Sequence, residues 1–120
     1  MASQSIQEKI QQAMIRLGNG GRWQNMILFS EDGLPLASFG KSAYSEETLL
    51  EYAMVLLQTL QVDPNPMHEC VIRGVGRKRL VFRLVQSEDE NLLLAAVCSG
   101  RKGHYLAMNQ LVAEIETIMQ

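Results

Sequence analysis

The chain has 120 residues, 47% of them hydrophobic, and a formal net charge of −2 at pH 7. That length fits one domain with one packed core, taken here as residues 1–120, and the composition excludes a disordered chain. The near balance of charge excludes a global field that would gather nucleic acid or an anionic membrane.

Ser5 and Glu8 form an S-x-x-E capping box that opens a helix. Ile6, Ile10, Ala13, Met14 and Leu17 follow at helical spacing, and Gly18-Asn19-Gly20-Gly21 stops the run. A strand is predicted over Trp23–Ser30, rich in strong β-formers. Glu31-Asp32-Gly33 supplies a turn in which Gly33 takes positive φ. Leu34–Phe39 returns as an edge strand, because Pro35 has no N–H to give a central ladder. Ser45 caps a long helix reaching about Gln61, with Glu46 and Glu47 in its first turn, and Asp63-Pro64-Asn65-Pro66 ends it. Three strands come next, His68–Val75, Arg79–Gln86 and Leu92–Ser99, whose short links force antiparallel hairpins. A last helix spans His104–Met119, with Met108, Leu111, Val112, Ile115 and Met119 on one face. The order is α-β-β-α-β-β-β-α, with no internal repeat or linker.

The middle helix is the most informative segment. Between Leu49 and Leu60 only Glu51, Gln58 and Thr59 are polar. Leu49, Ala53, Leu56 and Leu60 make one stripe, Leu50, Met54 and Leu57 an adjacent one, and Tyr52 and Val55 widen the surface further. A helix on one side of a sheet needs an apolar stripe of only about 100°. The excess is covered either by the first and last helices in the same layer or by a second chain, and the narrower stripes of the outer helices favour the second chain. At ~800 Å² per partner the contact would be of standard size.

Residues Ile27-Leu28-Phe29-Ser30-Glu31-Asp32-Gly33-Leu34-Pro35-Leu36-Ala37-Ser38 resemble the first hairpin of Roadblock (dynein light chain) domains, and the order of elements is similar along essentially the whole chain. The resemblance, closest to the bacterial branch that regulates small GTPases, implies an α/β (α+β) fold of profilin-like/Roadblock architecture. Its sheet would have five antiparallel strands in the order 2-1-5-4-3. It also implies dimers made by the middle helices and third strands. Leu50, Met54 and Leu57 would then lie near the dimer axis, with Val71 and Arg73 on the pairing edge. The implied function is a non-catalytic dimeric scaffold that binds a Ras-like small GTPase and modulates its activity. The alternatives are a structural adaptor subunit of a motor or signalling complex, or a small-molecule sensor of the PAS or GAF kind. Against the sensor, a single helix of mostly Leu, Met and Val between strands two and three leaves little polar lining for a ligand.

With that strand order the charges sort to the two ends of the sheet. One end collects Arg22, Lys41, Arg77, Lys78, Arg79, Arg101 and Lys102, and the other Glu31, Asp32, Glu88, Asp89 and Glu90. Charged loops are ordinary, yet the basic end, Arg77, Lys78, Arg79, Arg101 and Lys102 above all, is a candidate dock for an acidic partner or an anionic surface.

Several motifs imitate chemistry. Gly40-Lys41-Ser42 matches the end of a P-loop, but Pro35 stands where that loop needs a Gly. Gly74-Val75-Gly76-Arg77-Lys78 echoes a dinucleotide fingerprint without its third Gly and joins two strands. His68-x-Cys70 lacks a second ligand pair, with only Cys98 and His104 as distant candidates. Both cysteines sit in apolar runs and read as buried thiols of a reducing compartment. Met26, Met54, Met108 and Met119 fall on buried stripes. No catalytic residue, cofactor or metal is expected. No apolar run approaches the ~20 residues that cross a bilayer. The opening MASQSIQEKI has no secretory pattern, so the expected location is the cytoplasm.

Overall fold

The computed structural model describes residues 5–18, 23–42, 44–62, 68–87, 90–100 and 103–120, with backbone alone at 60–62. Its elements are α1 (Ile6–Gly18), β1 (Trp23–Phe29), β2 (Pro35–Gly40), α2 (Glu46–Val62), β3 (Glu69–Arg73), β4 (Arg79–Gln86), β5 (Asn91–Cys98) and α3 (Tyr105–Met119). Element types and order agree with the sequence reading, and the ends move by a residue or two. The Asp63–Pro66 breaker lies outside the described residues.

Local chemistry sets the helix starts. Ser5 Oγ accepts the Glu8 N–H at 3.1 Å, and Ser45 Oγ accepts the Thr48 N–H at 3.1 Å. The first hairpin closes through Ser30, whose N–H donates to Leu34 O at 2.9 Å and whose Oγ accepts the Leu34 N–H at 3.1 Å. Gly33 takes φ 85°, as the turn requires.

All five strands are antiparallel, in the order β2-β1-β5-β4-β3. The hairpins β1–β2, β3–β4 and β4–β5 join sequence neighbours, while β5 closes against β1 in the middle of the sheet. β4 and β5 are therefore covered on both faces. They read as near-continuous apolar runs, without the alternation of a half-exposed strand.

The two faces carry separate cores. On one, Ile10, Met14, Met26, Leu28, Val81, Leu94, Met108, Leu111 and Ile115 pack between the sheet, α1 and α3. On the other, Leu49, Ala53 and Leu57 of α2 pack on Ile27, Phe29, Phe82, Leu93 and Ala95. α1 and α3 contact each other, and Arg16 on one is ion-paired to Glu114 on the other. The outer helices thus do not flank α2, which removes one of the two explanations for its wide apolar surface. Part of that width is instead buried within the chain. Leu50 and Met54 flank the first hairpin turn, where Leu50 Cδ1 and Met54 Sδ each lie 3.3 Å from the place a Cβ on Gly33 would occupy.

Candidate interaction surface

The two edges of the sheet are treated differently. At the β2 edge, Pro35 offers no donor, and α1 covers the strand. The Gln11 side-chain amide accepts the Ser38 N–H at 2.9 Å and donates back to the Ser38 carbonyl. One side chain thereby occupies both backbone groups of Ser38, which another strand would use. At the β3 edge, Leu84 N–H donates to His68 O at 2.8 Å and Gly74 N–H to Lys78 O at 2.9 Å. Those bonds turn the even-numbered residues toward β4. The backbone N–H and C=O of Glu69, Val71 and Arg73 consequently face outward.

Beside this edge, unpaired among the described residues, lies a flank of α2 that the other described residues leave exposed. Tyr52 and Val55 are 41% and 65% exposed, and the Tyr52 ring sits 6.1 Å from that of Phe82 on β4, the neighbour of β3. Thr48, Glu51 and Leu56 complete a shallow apolar groove with them. The residues expected near a dimer axis take these positions within the chain. Leu57 is only 4% exposed, inside the core beneath α2. Leu50 and Met54 lean toward the β1–β2 turn, at the opposite edge from β3. The helical repeat explains these positions: Leu49, Ala53 and Leu57 stack at i, i+4 and i+8, so Leu57 faces the sheet and Leu56 rotates outward. Val71, 37% exposed, and the exposed Arg73 stand on the open strand.

The charge sorting is visible among the described residues. Arg73, Arg77, Lys78 and Arg79 line a concavity of about 490 Å³ at the β3–β4 turn, together with Gly100 beyond β5. At the other end Glu31 Oε1 accepts the Asn91 N–H at 2.7 Å, tying the first turn to the β4–β5 turn that carries Glu90. Arg22, Glu88, Asp89, Arg101 and Lys102 lie outside the described residues.

A buried polar cluster links β3, β4 and α3. Arg83, 7% exposed, donates from Nη2 to Glu69 Oε1 at 2.8 Å and from Nη1 to Asn109 Oδ1 at 2.6 Å. Its guanidinium lies 5.6 Å from the Tyr105 ring centroid. His104 Nε2 lies 3.5 Å from Glu69 Oε1, and His104 Nδ1 lies 3.5 Å from Arg79 Nη1. Burial holds the His104 pKa below its ordinary 6.5, with Arg79 and Arg83 adding to the depression and Glu69 opposing it. The sequence reading did not single out this cluster. Its signal was a lone Arg inside the apolar run Leu80-Val81-Phe82-Arg83-Leu84-Val85, which in a doubly covered strand demands a partner.

The remaining motifs take structural places. Gly40 has φ 73°, and a Cβ there would meet Gln24 O at 2.2 Å, so this Gly serves a close backbone approach. Ser42 Oγ accepts from Asn25 Nδ2 at 3.3 Å and from the Tyr44 N–H at 3.1 Å. Gly74–Lys78 is the β3–β4 turn, with Val75 97% exposed at its tip. Cys98 is buried, and desolvation raises its thiol pKa above the ordinary 9.0. Cys70 is half-buried and His68 exposed. Among the described residues no cluster of three or more His, Cys, Asp or Glu is placed to hold a metal ion, and no helix is long and apolar enough to cross a membrane.

No protein-family model matches the sequence, and no curated protein matches it significantly. Solved structures do match its shape. Myxococcus xanthus MglB superposes with a TM-score of 0.79 at 14% identity, over 98% of this chain and 92% of that one. The gliding protein MglB of Thermus thermophilus gives 0.73 at 14% identity, over 99% and 94%. A Roadblock/LC7 domain from Streptomyces avermitilis gives 0.70 at 13% identity, over 90% and 92%. At such identities the likeness establishes the fold, an α+β architecture that Roadblock domains share with profilins.

Proposed function

Given a Roadblock-type fold with one closed and one open sheet edge, we propose that the chain is a non-catalytic, dimeric regulatory scaffold that binds a Ras-like small GTPase and modulates its activity. The observation that carries the dimeric part is the coincidence of the outward-facing backbone of Glu69, Val71 and Arg73 with the exposed Tyr52 and Val55 on one side of the molecule. An open strand edge beside an apolar helix flank is what a soluble monomer avoids and a pairing surface needs. Two copies joined there would form one continuous sheet with their α2 helices side by side. The proposed interface therefore keeps Val71 and Arg73, and places Tyr52 and Val55 on the helix side where Leu50, Met54 and Leu57 were expected.

The regulatory part is supported by the resemblance of the first hairpin to bacterial GTPase-regulating Roadblock domains and by the structural likeness to gliding proteins of the MglB type. The scaffold would act by contact, altering the GTPase's own switch loops, and no side chain is assigned a step in hydrolysis. The basic end of Arg77, Lys78 and Arg79, with Arg101 and Lys102 following β5 in sequence, is its proposed dock for an acidic partner surface.

The test has two stages. Light scattering across dilution should give a dimer for the wild type, and a monomer that keeps its far-UV spectrum for Val71→Pro, which removes an outward donor but no β4 bond, and for Val55→Glu. A wild-type monomer refutes the dimeric part. Binding of the dimer to GTP- and GDP-loaded Ras-like GTPases then tests the regulatory part. Charge reversal of Arg77, Lys78 and Arg79 should slow association at low salt. Equal indifference to both nucleotide states, with no change in hydrolysis or exchange, would point to the structural adaptor instead.

A further inference from the structure

The open edge carries a pattern that reads the same from both partners. Counting outward along β3, the residues whose backbone faces away from β4 are Glu69, Val71 and Arg73, and their side chains share one face of the sheet. An acidic, an apolar and a basic residue therefore stand in a row, with the apolar one central. In an antiparallel pairing of this strand with a second copy, residues whose outward backbones exchange hydrogen bonds stand directly opposite one another.

Resting on the dimeric reading above, we propose that β3 pairs with β3 of a second copy about a twofold axis at Val71, so that Glu69 of each copy faces Arg73 of the other and the strand selects its own kind. In that register Val71 meets Val71, two Glu–Arg pairs flank it, and on the opposite face Cys70 meets Ile72 twice. A slide by two residues along the partner in either direction opposes Val71 to Glu69 or to Arg73. A slide by four opposes Glu69 to Glu69 or Arg73 to Arg73. Only the Val71-centred register forms both ion pairs, and like charges directly opposite are unfavourable.

Two further features fit it. Arg73 stands opposite Arg79 in the β3–β4 ladder, which places basic residues at the end of the edge where this register brings a carboxylate. Glu69 engages both Arg83 and His104 through Oε1, at 2.8 Å and 3.5 Å, with its side chain still 22% exposed. The Arg83 bond also fixes the rotamer of Glu69 before pairing, which lowers the ordering entropy of forming the intermolecular pair.

The test uses the full chain carrying Cys70→Ala, with single cysteines introduced at the edge and diamide as the oxidant. Residues opposite in a hydrogen-bonded antiparallel pair have Cα atoms about 5.5 Å apart, within the ~4.4–6.8 Å span of a disulfide. Val71→Cys should cross-link to itself in minutes at protein concentrations where light scattering reports a dimer. Arg73→Cys should not cross-link to itself, and a mixture of the two variants should give no mixed product beyond background. A dimer by mass that cross-links through Arg73→Cys, or only in the mixture, overturns the register and leaves the dimer standing. A monomer by mass overturns both. Arg73→Glu, on an exposed side chain with no internal role assigned to it, should raise the dimer dissociation constant about tenfold or more, since both symmetric pairs turn repulsive. Arg73→Lys should largely preserve the affinity. An unchanged affinity in Arg73→Glu would remove the charge pairing from the proposal's basis and overturn it.

Discussion

Glu69→Ala should destabilise the fold far more than Arg83→Met, although the two residues are one ion pair. Arg83 is the buried member, with a side chain 9% exposed against 22% for Glu69. Removing the carboxylate leaves a desolvated guanidinium with only the Asn109 hydrogen bond and the Tyr105 ring among the described residues, and removing one partner of a buried pair costs roughly 3–5 kcal/mol. Partial access of water to Glu69 argues for the lower end, about 3 kcal/mol. Methionine at 83 removes the charge along with its desolvation cost and keeps most of the packed volume. It also removes Arg83 Nε, which is buried without a hydrogen-bond partner among the described residues. The expected change is within about 1 kcal/mol of zero. For a chain of 120 residues the unfolding entropy is about 0.25 kcal/mol/K, so 3 kcal/mol lowers Tm by about 12 °C. Melting curves in a Val71→Pro background keep association from entering the comparison. If Arg83→Met melted as low as Glu69→Ala, the attraction within the pair, and not desolvation of the cation, would be governing this face.

Burial lowers the folded pKa of His104 below 6.5, so the unfolded chain takes up the proton first and stability falls as pH drops through 6.5 toward the folded value. Tm measured between pH 7.5 and 5.5 should therefore decline less in His104→Gln than in the wild type; equal slopes would contradict the assignment. Gly40→Ala combines a left-handed φ of 73° with a Cβ 2.2 Å from Gln24 O, and should cost at least about 2 kcal/mol in urea unfolding. Gln11→Ala frees the Ser38 backbone and should lower stability by about 1 kcal/mol. It should also promote concentration-dependent association beyond a dimer, read by sedimentation; an unchanged size distribution would show that Pro35 and α1 close the β2 edge unaided.

Much of the fold could be read from local chemistry and resemblance. The Ser5 and Ser45 caps, the Gly33 turn and the three short strand connections are short-range features, set by residues a few positions apart. The strand order came with the likeness of Ile27–Ser38 and the element order to Roadblock domains. Periodicity ranked α2 as widely apolar, but it could not say which flank the neighbouring elements would cover. That depended on where the Gly33 turn lands, against Leu50 and Met54, and on which of Leu56 and Leu57 faces the sheet.

Sequence alone determined the elements, their order and the alternation along β3 that places Glu69, Val71 and Arg73 on one face. Only the tertiary structure decided that Gln11 closes one edge, that the other stays open beside Tyr52 and Val55, and that Arg83 is buried with a carboxylate fourteen positions away. The physical reason is range. Caps and turns are satisfied within a few residues, whereas edge coverage and charge burial depend on contacts between elements far apart in the chain.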